Sequence, residues 1–557
     1  MGKILTLHEP RSARAYYLSG TWLPDTLYAL LRKHAAERGD AFALRDASRR
    51  LSWTELLDEV DRVAAELEQA GLHAGDRVSV WLPSCVEGVA VFLACSRNGY
   101  VCNPSLHETY TVEEVADLVA RIDSRALFVQ PGYGADAQQC DSLARLGPLP
   151  CLKAVFSVSV ADTALPAGVR LFPRGPLPVQ PTSPACADPD KVVYLAFTSG
   201  TTGRPKGVMH SDNTLLANGR SLVSDWSHDE RSVVLTLSPM SHHIGTVALE
   251  QSLVAGCELV MTDRRAGIAA IDWIEETGAT YVMGVPTHAM DLLRAMEARG
   301  RPGLGQVSIL YMAGAPIPRE IAVRFLQLGV TPQNVYGMTE NGSHQYTRPG
   351  DDAETITATC GIACNGYEVR LWRPDDPDRE VEPGEIGEIG GRGGLLMLGY
   401  FADQTATEQS FNASGWFMSG DLGRFDERGN LQVVGRKKDV INRGGHKIHP
   451  ARIEDLAYRH PAVAKAAAFG VADERLGERI CLAVSARHGR APSAQALLDH
   501  LQRQGLSRFE MPEFYLVVDE FPLTASGKLL KRELIEWVRA GRLQPQPVRD
   551  AAKVLDH

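Results

Sequence analysis

A glycine- and hydroxyl-rich segment follows the apolar run 192–197, and its sequence is Thr198-Ser199-Gly200-Thr201-Thr202-Gly203-Arg204-Pro205-Lys206-Gly207. Its glycines let backbone N–H groups face one concavity, its hydroxyls add hydrogen-bond donors, and Lys206 adds a positive charge. Such groups suit phosphate oxygens, so the segment predicts a phosphate-binding loop. A polar surface turn after a buried strand is the alternative. The spacing differs from that of a Walker A loop, in which Ser or Thr follows Gly-Lys.

This loop resembles the phosphate loop of the adenylate-forming superfamily, which includes acyl-CoA synthetases, non-ribosomal adenylation domains and beetle luciferase. Other segments between Leu51 and Leu534 resemble further motifs of the superfamily in the same order. The resemblance implies that the chain activates a carboxylic acid with ATP and Mg²⁺, releases pyrophosphate and then transfers the acyl group to coenzyme A. The segments are most similar to those of ligases for medium-chain acids or cyclohexanecarboxylate.

Tyr336-Gly337-Met338-Thr339-Glu340 is similar to the family's Tyr-Gly-x-Thr-Glu motif. An aromatic ring can stack on adenine, a threonine hydroxyl can reach a phosphate, and a carboxylate can bind Mg²⁺. The motif therefore predicts a nucleotide site with Glu340 as the metal ligand. The segment Ala313-Gly314-Ala315-Pro316 resembles the part of the family that lies against the adenine and the acyl group.

The segment from Gly415 to Asp421 resembles the family's Gly-Trp-x-x-Ser/Thr-Gly-Asp motif. A carboxylate at a tight turn can accept hydrogen bonds from both ribose hydroxyls, and the resemblance gives Asp421 this role. An aspartate that only caps its turn is the alternative. The resemblance also implies that Arg436 contacts the nucleotide.

The resemblance implies two domains and a hinge at Lys438. Residues 1–437 are expected to form an adenylation domain that binds ATP and the acid, and residues 438–557 a small mobile domain. Gly445 is expected beside the tunnel for coenzyme A. Lys528 is expected to be the catalytic lysine of the adenylation step, after which its domain rotates away. Arg452 departs from the usual Pro-Ala-Glu-Ile-Glu pattern.

The segment from Ser238 to Gly245 resembles the acyl-pocket segment of the family, in which an aromatic residue precedes a histidine. Ser241 replaces that aromatic residue, and His242 aligns best with the gating histidine, although His243 fits if the register moves by one. A histidine that only packs in the core is the alternative. The segments 282–287 and 337–344 are expected to line the pocket and contain no aspartate suited to an ammonium group, which disfavours an amino acid substrate. Medium-chain, alicyclic and aryl acids all remain open.

The elements that position these residues follow a βα pattern. Apolar residues at helical spacing predict one helix over 55–69 and another over 89–97. The stretch 76–83 between them is predicted to form a strand. Strands that alternate with helices indicate a layered α/β domain with a largely parallel sheet. The glycine-rich stretch 382–434 predicts a small β-rich subdomain, and the last hundred residues return to mixed α/β signals.

Composition limits the class of protein. The chain has 557 residues, 44% hydrophobic and 23% charged, with a net charge of −10. This length indicates more than one domain, and the negative charge argues against nucleic acid as a partner. Ten scattered cysteines favour free thiols in the cytoplasm. No stretch is apolar enough to span a membrane.

The resemblance implies small-molecule partners, namely a carboxylic acid and coenzyme A, and a homodimer is an open arrangement. Two alternatives to the acyl-CoA synthetase remain open. One is a stand-alone adenylation enzyme that loads a separate carrier protein. The other is a nucleotide-binding regulator without catalysis, which the presence of Lys528, Glu340 and Asp421 disfavours.

Overall fold

The computed structural model describes residues 9–158, 165–173, 180–198, 205–315, 317–487, 489–523 and 529–548. The chain forms two compact units. The first comprises Met1–Glu368 and Gly391–Phe411, and the second comprises Val369–Gly390 and Asn412–His557.

Thirteen helices among the described residues belong to the first unit. In chain order they are α1 Pro10–Ser19, α2 Leu27–Arg38, α3 Trp53–Gln69, α4 Val86–Asn98, α5 Val112–Arg121, α6 Ser142–Leu146, α7 Asp212–Trp226, α8 His243–Ala255, α9 Ala270–Thr277, α10 Pro286–Arg299, α11 Arg319–Gln327, α12 Ala353–Ala358 and α13 Gln404–Glu408. A short 3₁₀ helix spans Arg264–Ala266.

The strands of the first unit form two sheets. In chain order they are β1 Phe42–Arg45, β2 Arg50–Ser52, β3 Arg77–Trp81, β4 Val101–Asn103, β5 Ser124–Val129, β6 Ala154–Ser157, β7 Val169–Leu171, β8 Val192–Thr198, β9 Lys206–Ser211, β10 Val233–Thr236, β11 Glu258–Met261, β12 Tyr281–Gly284, β13 Ile309–Ala313, β14 Thr331–Met338, β15 Gly342–Tyr346 and β16 Ile362–Ala363. Within the described residues one sheet has the order β16-β15-β14-β13-β12-β10-β11-β1-β2, and the other has the order β7-β6-β5-β3-β4-β8-β9.

Both sheets are parallel over most of their width, as the sequence predicts. Strands β10 to β14 of the first sheet all pair in parallel, and β15 returns antiparallel to β14. Parallel strands end at the same edge of a sheet, so the residues that follow β10, β12, β13 and β14 share that edge. These are the segments that contain His242, Val285, Gly314 and Thr339.

Local sequence explains where several elements begin and end. Helix α3 begins at a capping box in which the Ser52 hydroxyl accepts from the N–H of Glu55 and the Glu55 carboxylate accepts from that of Ser52. The chain leaves α3 through Gly71, whose φ of 75° few other residues adopt. The core below α9 and α10 consists of apolar side chains from β10, β12 and β13, including Leu235, Val282 and Leu310.

The second unit contains two smaller sheets and three helices among the described residues. In chain order the elements are β17 Tyr367–Arg373, β18 Asp376–Glu380, β19 Gly387–Gly393, β20 Phe417–Phe425, β21 Leu431–Arg436, a 3₁₀ turn Lys437–Asp439, β22 Ile441–Arg443, β23 His446–Ile448, α14 Pro450–Tyr458, β24 Val463–Asp473, β25 Gly477–Ala486, α15 Ala494–Arg503, β26 Phe514–Val517, α16 Lys531–Arg539 and β27 Gln546–Pro547. Strands β17 and β19 begin or end just outside this unit.

The sheet of β17 to β21 has the order β18-β17-β19-β20-β21, which confirms the predicted β-rich region. The other sheet has the order β23-β22-β25-β26-β27, with β24 paired to β25. The mixed α/β fold with a small C-terminal part is thereby confirmed, whereas the boundary at residues 437 and 438 stays a prediction. None of the ten cysteines forms a disulfide. No helix within the described ranges is both long and apolar enough to cross a membrane.

Candidate active site

The described ends of the predicted phosphate loop lie opposite each other in a β-hairpin. Strands β8 and β9 pair antiparallel, and their last register pair is Thr198 with Lys206. Both residues are partly exposed. Six residues of the predicted loop lie outside the described residues, namely Ser199, Gly200, Thr201, Thr202, Gly203 and Arg204. The hairpin therefore fixes the positions of the hydroxyl and the cation at the two ends of this segment.

Residues 398–401 run beside β9. The N–H of Phe401 donates to the carbonyl oxygen of Gly207 at 2.7 Å, and the N–H of Met209 donates to that of Gly399 at 3.0 Å. A side chain on Gly207 would have little room, because a Cβ atom there would lie 3.3 Å from the Cβ atom of Phe401. This close backbone approach places the ring of Tyr400 next to Lys206, whose Nζ lies 4.6 Å from the ring centroid.

The predicted nucleotide motif occupies the end of β14 and the turn after it. Gly337 has no room for a side chain, because a Cβ atom there would lie 1.8 Å from the carbonyl oxygen of Gly342 on β15. The turn holds Glu340, whose side chain lies at the partly exposed end of the strand. The ring of Tyr336 contacts His344 at a centroid distance of 5.3 Å.

Glu340 and Lys206 meet at Tyr400. The Tyr400 hydroxyl donates to Oε1 of Glu340 at 3.0 Å, and the face of the same ring contacts the Lys206 ammonium group. Burial and the neighbouring carboxylate raise the pKa of Tyr400, so the phenol remains protonated and can donate. One buried ring thus holds an acid and a cation at a fixed separation beside the end of β14.

Tyr400 is a candidate site residue that no sequence motif indicates. Its position in Leu398-Gly399-Tyr400-Phe401 shows only an aromatic residue in an apolar run. The contacts with Lys206 and Glu340 join residues that are 194 and 60 positions away in the chain, so no local pattern could have revealed them. The sequence offers one weak indication of a site residue here, which is a tyrosine next to a glycine in the glycine-rich stretch 382–434.

The two candidate gating histidines have different surroundings. His242 lies at the N-cap of α8, where its Nδ1 accepts from the N–H of Ile244 at 3.3 Å. His243 stacks on His210 with ring centroids 5.7 Å apart and lies within hydrogen-bonding distance of the Tyr194 hydroxyl, at 3.3 Å. The gating role predicted for His242 stays a prediction.

His210 connects this group of rings to the nucleotide motif. Its Nε2 donates to the carbonyl oxygen of Thr339 at 2.6 Å, and its Nδ1 lies 3.0 Å from the hydroxyl of Thr214. Burial lowers the pKa of His210 to about 4, so the ring is neutral at pH 7. The N-terminal end of α8, with His243, therefore lies beside Thr339.

The segment after β13 reaches the same edge of the sheet. Gly314 follows the strand directly with a φ of 87°, a left-handed conformation that favours glycine. Ala315 is exposed, and Pro316 lies outside the described residues. The structure thus brings together Thr198 and Lys206 through their strand pairing, and places Gly314, Tyr336, Gly337, Thr339 and Glu340 at or beyond the ends of neighbouring strands.

In the second unit, Asp421 and Arg436 are cross-strand neighbours. They face each other in the register of β20 and β21, and Arg436 Nε lies 3.3 Å from Oδ1 of Asp421. The Asp421 N–H donates to the Ser419 hydroxyl at 3.1 Å. Asp421 and Arg436 therefore lie side by side, and each is predicted to contact the nucleotide.

The remaining predicted residues of the second unit lie in turns. Lys438 is the middle residue of the 3₁₀ turn. Gly445 lies with Gly444 between β22 and β23, and both have positive φ values, 86° and 55°. A two-residue hairpin turn of this kind favours glycine. Lys528 lies outside the described residues, and its catalytic role in the adenylation step stays a prediction.

The donor set around Glu340 is compatible with Mg²⁺. No group of three or more His, Cys, Asp or Glu suited to a metal ion lies within the described ranges. Mg²⁺ often binds through only one or two carboxylates and takes its other ligands from water and substrate phosphates. A single carboxylate next to a predicted phosphate loop fits this pattern.

Comparisons with known proteins identify the family of the chain. The family model "AMP-binding enzyme" matches residues 31–401, and the model "AMP-binding enzyme C-terminal domain" matches residues 452–528. The chain is 29% identical over 535 residues to the medium-chain fatty-acid–CoA ligase of Escherichia coli (strain K12), with 95% of this chain and 93% of the relative covered.

The chain is also 32% identical over 534 residues to the 2,3-dihydroxybenzoate-AMP ligase of Bacillus subtilis (strain 168), with 94% of this chain and 96% of the relative covered. The crystal structure of ATP-bound MatB from Rhodopseudomonas palustris matches with a TM-score of 0.78 at 26% identity, covering 92% of this chain and 99% of that chain. The match to the family model "AMP-binding enzyme" covers well over half of this chain. The chain belongs to the AMP-binding enzyme family.

Proposed function

We propose that this enzyme activates a carboxylic acid with ATP to an acyl adenylate, releases pyrophosphate and then forms an acyl-CoA thioester. The observation that best supports the first step is the group of Lys206, Tyr400 and Glu340. It holds a cation and a carboxylate at fixed positions between the phosphate-loop hairpin and the end of β14.

These residues suit the reaction because both reactants are anions. A carboxylic acid is already ionised at neutral pH and needs no general base, but it must approach the α-phosphate of a highly charged nucleotide. Lys206 and the hydroxyl of Thr198 would bind the leaving phosphates, and the Thr339 hydroxyl would bind a phosphate oxygen. Mg²⁺ bound by Glu340 would supply further neutralisation of the phosphate charge.

Other predicted residues receive their roles as part of this proposal. Tyr336 and the segment of Gly314, Ala315 and Pro316 would bind the adenine. Asp421 would accept from the ribose hydroxyls, with Arg436 next to it. Lys528 would neutralise the charge that develops at the α-phosphate. Lys438 would be the hinge and Gly445 would lie beside coenzyme A in the second step, with His242 gating the acyl site.

A second candidate is a stand-alone adenylation enzyme whose acyl group passes to a carrier protein. The similarity to the 2,3-dihydroxybenzoate-AMP ligase, at 32% identity, favours this candidate and an aryl acid. The similarity to the medium-chain fatty-acid–CoA ligase favours coenzyme A and an aliphatic acid. Medium-chain, alicyclic and aryl acids are therefore the classes to test.

The test is pyrophosphate release from a panel of these acids with and without coenzyme A, together with mass-spectrometric detection of acyl-AMP and acyl-CoA. Acyl-CoA formation supports the proposal. Acyl-AMP that accumulates with coenzyme A present, and that disappears only with a carrier protein, supports the second candidate. Lys206→Ala, prepared in the same way, controls for contaminating activity. If no acid yields acyl-AMP, the proposed function is wrong.

A further inference from the structure

A buried acid on α8 has no hydrogen-bond partner among the residues that the structure describes. Glu250 is 1% exposed, and neither carboxylate oxygen has a hydrogen-bond partner among the described residues. A buried polar group left unpaired destabilises a protein by about 1–3 kcal/mol, so such groups are uncommon in native structures. Burial raises the pKa of Glu250 well above its usual value, which favours the neutral acid. A neutral carboxyl group can both donate and accept a hydrogen bond.

Glu250 continues a polar stripe on the helix. His243, Thr246 and Glu250 are spaced three and four residues apart, and such positions share one face of an α-helix. This face is directed at β8, because His243 lies 3.3 Å from the Tyr194 hydroxyl and because Thr246 and Glu250 both act on the pKa of Tyr194. These three side chains form a polar stripe that lies along the Tyr194 ring. His243 is at the N-terminal end of this stripe, and Glu250 is at the other end.

The other neighbours of Glu250 do not satisfy its carboxyl group. Helix α7 approaches through Gly219, where a Cβ atom would lie 2.9 Å from the backbone of Glu250, so α7 offers no side chain there. On the sheet side lies Tyr311, whose pKa is raised by burial and, to a smaller extent, by the ionised form of Glu250. The Tyr311 hydroxyl is already bonded to Ser343 at 2.7 Å. Glu250 therefore lies among hydroxyl-bearing side chains but is paired with none of them.

The polar stripe begins beside the predicted nucleotide motif. Its first residue, His243, stacks on His210, and His210 donates to the carbonyl oxygen of Thr339 in that motif. Glu250 lies seven positions after His243 in the α-helix, which corresponds to about 10 Å. An acid whose carboxylate lies beside Thr339 and whose chain follows α8 would reach Glu250 after roughly eight bonds.

We propose that Glu250 is a specificity-determining residue that pairs with a hydroxyl or keto oxygen remote from the carboxylate of the acid. This inference rests on the proposed function, and it narrows the substrate class from plain medium-chain acids to oxygen-bearing acids of similar length. A site built to pair with a polar group rejects the analogue that lacks this group, because its own buried group then stays unpaired.

The test compares octanoate with 8-hydroxyoctanoate and 7-oxooctanoate, using specificity constants for pyrophosphate release by the full chain with ATP and Mg²⁺. The wild type is expected to prefer the oxygen-bearing acids by about tenfold or more, which corresponds to about 1.4 kcal/mol, because octanoate leaves the buried carboxyl group unpaired. Glu250→Leu is expected to reverse this preference in favour of octanoate. Glu250→Gln, which still donates and accepts, is expected to retain most of it.

Two further measurements separate a binding role from a structural one. Glu250→Leu removes an unpaired buried group and should keep or raise the thermal unfolding midpoint, whereas loss of a structural partner would lower it. Ser252→Ala is the matched control, because Ser252 is buried on the same helix but donates to the Cys257 carbonyl oxygen. This variant should leave the substrate preference unchanged.

The outcomes distinguish the inference from the proposed function. Pyrophosphate release without preference for the oxygen-bearing acids, or a preference that Glu250→Leu does not change, contradicts the role of Glu250 and leaves the proposed function intact. Preference for 8-aminooctanoate over both oxygen-bearing acids shows that Glu250 pairs with an ammonium group and also contradicts the inference. Absence of release with every acid contradicts both.

Discussion

At the scale of single residues, Tyr400 is the side chain that joins the two charged groups of the candidate site. Its hydroxyl fixes one oxygen of Glu340, and its ring face contacts the Lys206 ammonium group. A hydrogen bond to a charged group stabilises its partners by about 1.5–3 kcal/mol. The orientation of the Glu340 carboxylate, and with it the binding of Mg²⁺, should therefore depend on this phenol.

Tyr400→Phe removes the hydroxyl and keeps the ring. We expect the Mg²⁺ concentration needed for half-maximal ATP–pyrophosphate exchange to rise about tenfold, because the carboxylate loses its fixed orientation. The ring still contacts Lys206, so the Michaelis constant for ATP at saturating Mg²⁺ should change little. Tyr28→Phe removes a similar bond, from Tyr28 to Asp61 at 2.7 Å, and should not change the Mg²⁺ dependence. An unchanged Mg²⁺ dependence in Tyr400→Phe would show that Glu340 does not bind the metal through this arrangement.

Asp421 gives a second prediction at this scale. An ionised acceptor makes hydrogen bonds about twice as strong as a neutral one, so Asp421→Ala should weaken nucleotide binding by roughly 1–3 kcal/mol. The Michaelis constant for ATP should rise about tenfold or more. The wild type should also discriminate against 2′-deoxy-ATP, and the variant should lose most of this preference. If specificity constants show that the variant prefers ATP as strongly as the wild type does, Asp421 does not bind the ribose.

At the scale of secondary-structure elements, the hairpin of β14 and β15 positions Glu340. Gly337 lets the carbonyl oxygen of Gly342 approach, and Asn218 on α7 exchanges two hydrogen bonds with the backbone of Ser343, each 3.0 Å long. The turn between the two strands is therefore held from within the sheet and from the helix beside it.

Gly337→Ala places a methyl group where the Gly342 carbonyl oxygen lies, so the two strands must separate. We expect a loss of about 1–3 kcal/mol in the free energy of unfolding and a larger loss of pyrophosphate release, because Glu340 moves with the turn. Gly350→Ala is the control, since nothing lies within 4 Å of a Cβ atom there. Urea denaturation and activity assays on both variants test this. Full activity in Gly337→Ala would show that the hairpin does not position the site.

At the scale of the whole molecule, buried histidines couple stability to pH. Burial lowers the pKa of His107, His210 and His228 to about 4 and that of His344 to about 3. The unfolded chain binds these protons near pH 6.5 and the native state does not, so stability is fully present above pH 6.5 and falls as the pH decreases towards 4. Burial also raises the pKa of Asp61 and Glu250, which act in the opposite direction. Further histidines with lowered pKa values add to the loss of stability, namely His34, His243, His449 and His460.

We therefore expect the free energy of unfolding, measured by urea titration, to fall steeply between pH 7.5 and pH 5. His228→Phe keeps an aromatic ring against Tyr281, which lies 4.3 Å away, and removes one titrating group. It should reduce the loss over this interval by about 2 kcal/mol. The same pH dependence in the variant and the wild type would show that His228 is not held neutral by burial.

The sequence alone determined the elements and the family. The helix over 55–69, the strand over 76–83 and the β8 run are local patterns, since apolar spacing and flanking turns are properties of neighbouring residues. The motif residues from Thr198 to Lys206 and from Tyr336 to Glu340 are also contiguous, so their chemistry could be inferred before any fold was known. The division into a large α/β part and a smaller C-terminal part is what the resemblance to the adenylate-forming superfamily implies.

Only the tertiary structure decided which of these residues meet. Tyr400 joins Lys206 and Glu340, and His210 joins α8 to Thr339. Glu250, near Tyr194 and Tyr311, has no hydrogen-bond partner in the described part of the chain. Each of these facts depends on which strands and helices lie side by side, and sheet order and helix packing are set by contacts between residues far apart in the chain. The protonation state of a buried ionisable group likewise cannot be inferred from local sequence, because its pKa depends on the dielectric environment and the partners that folding supplies.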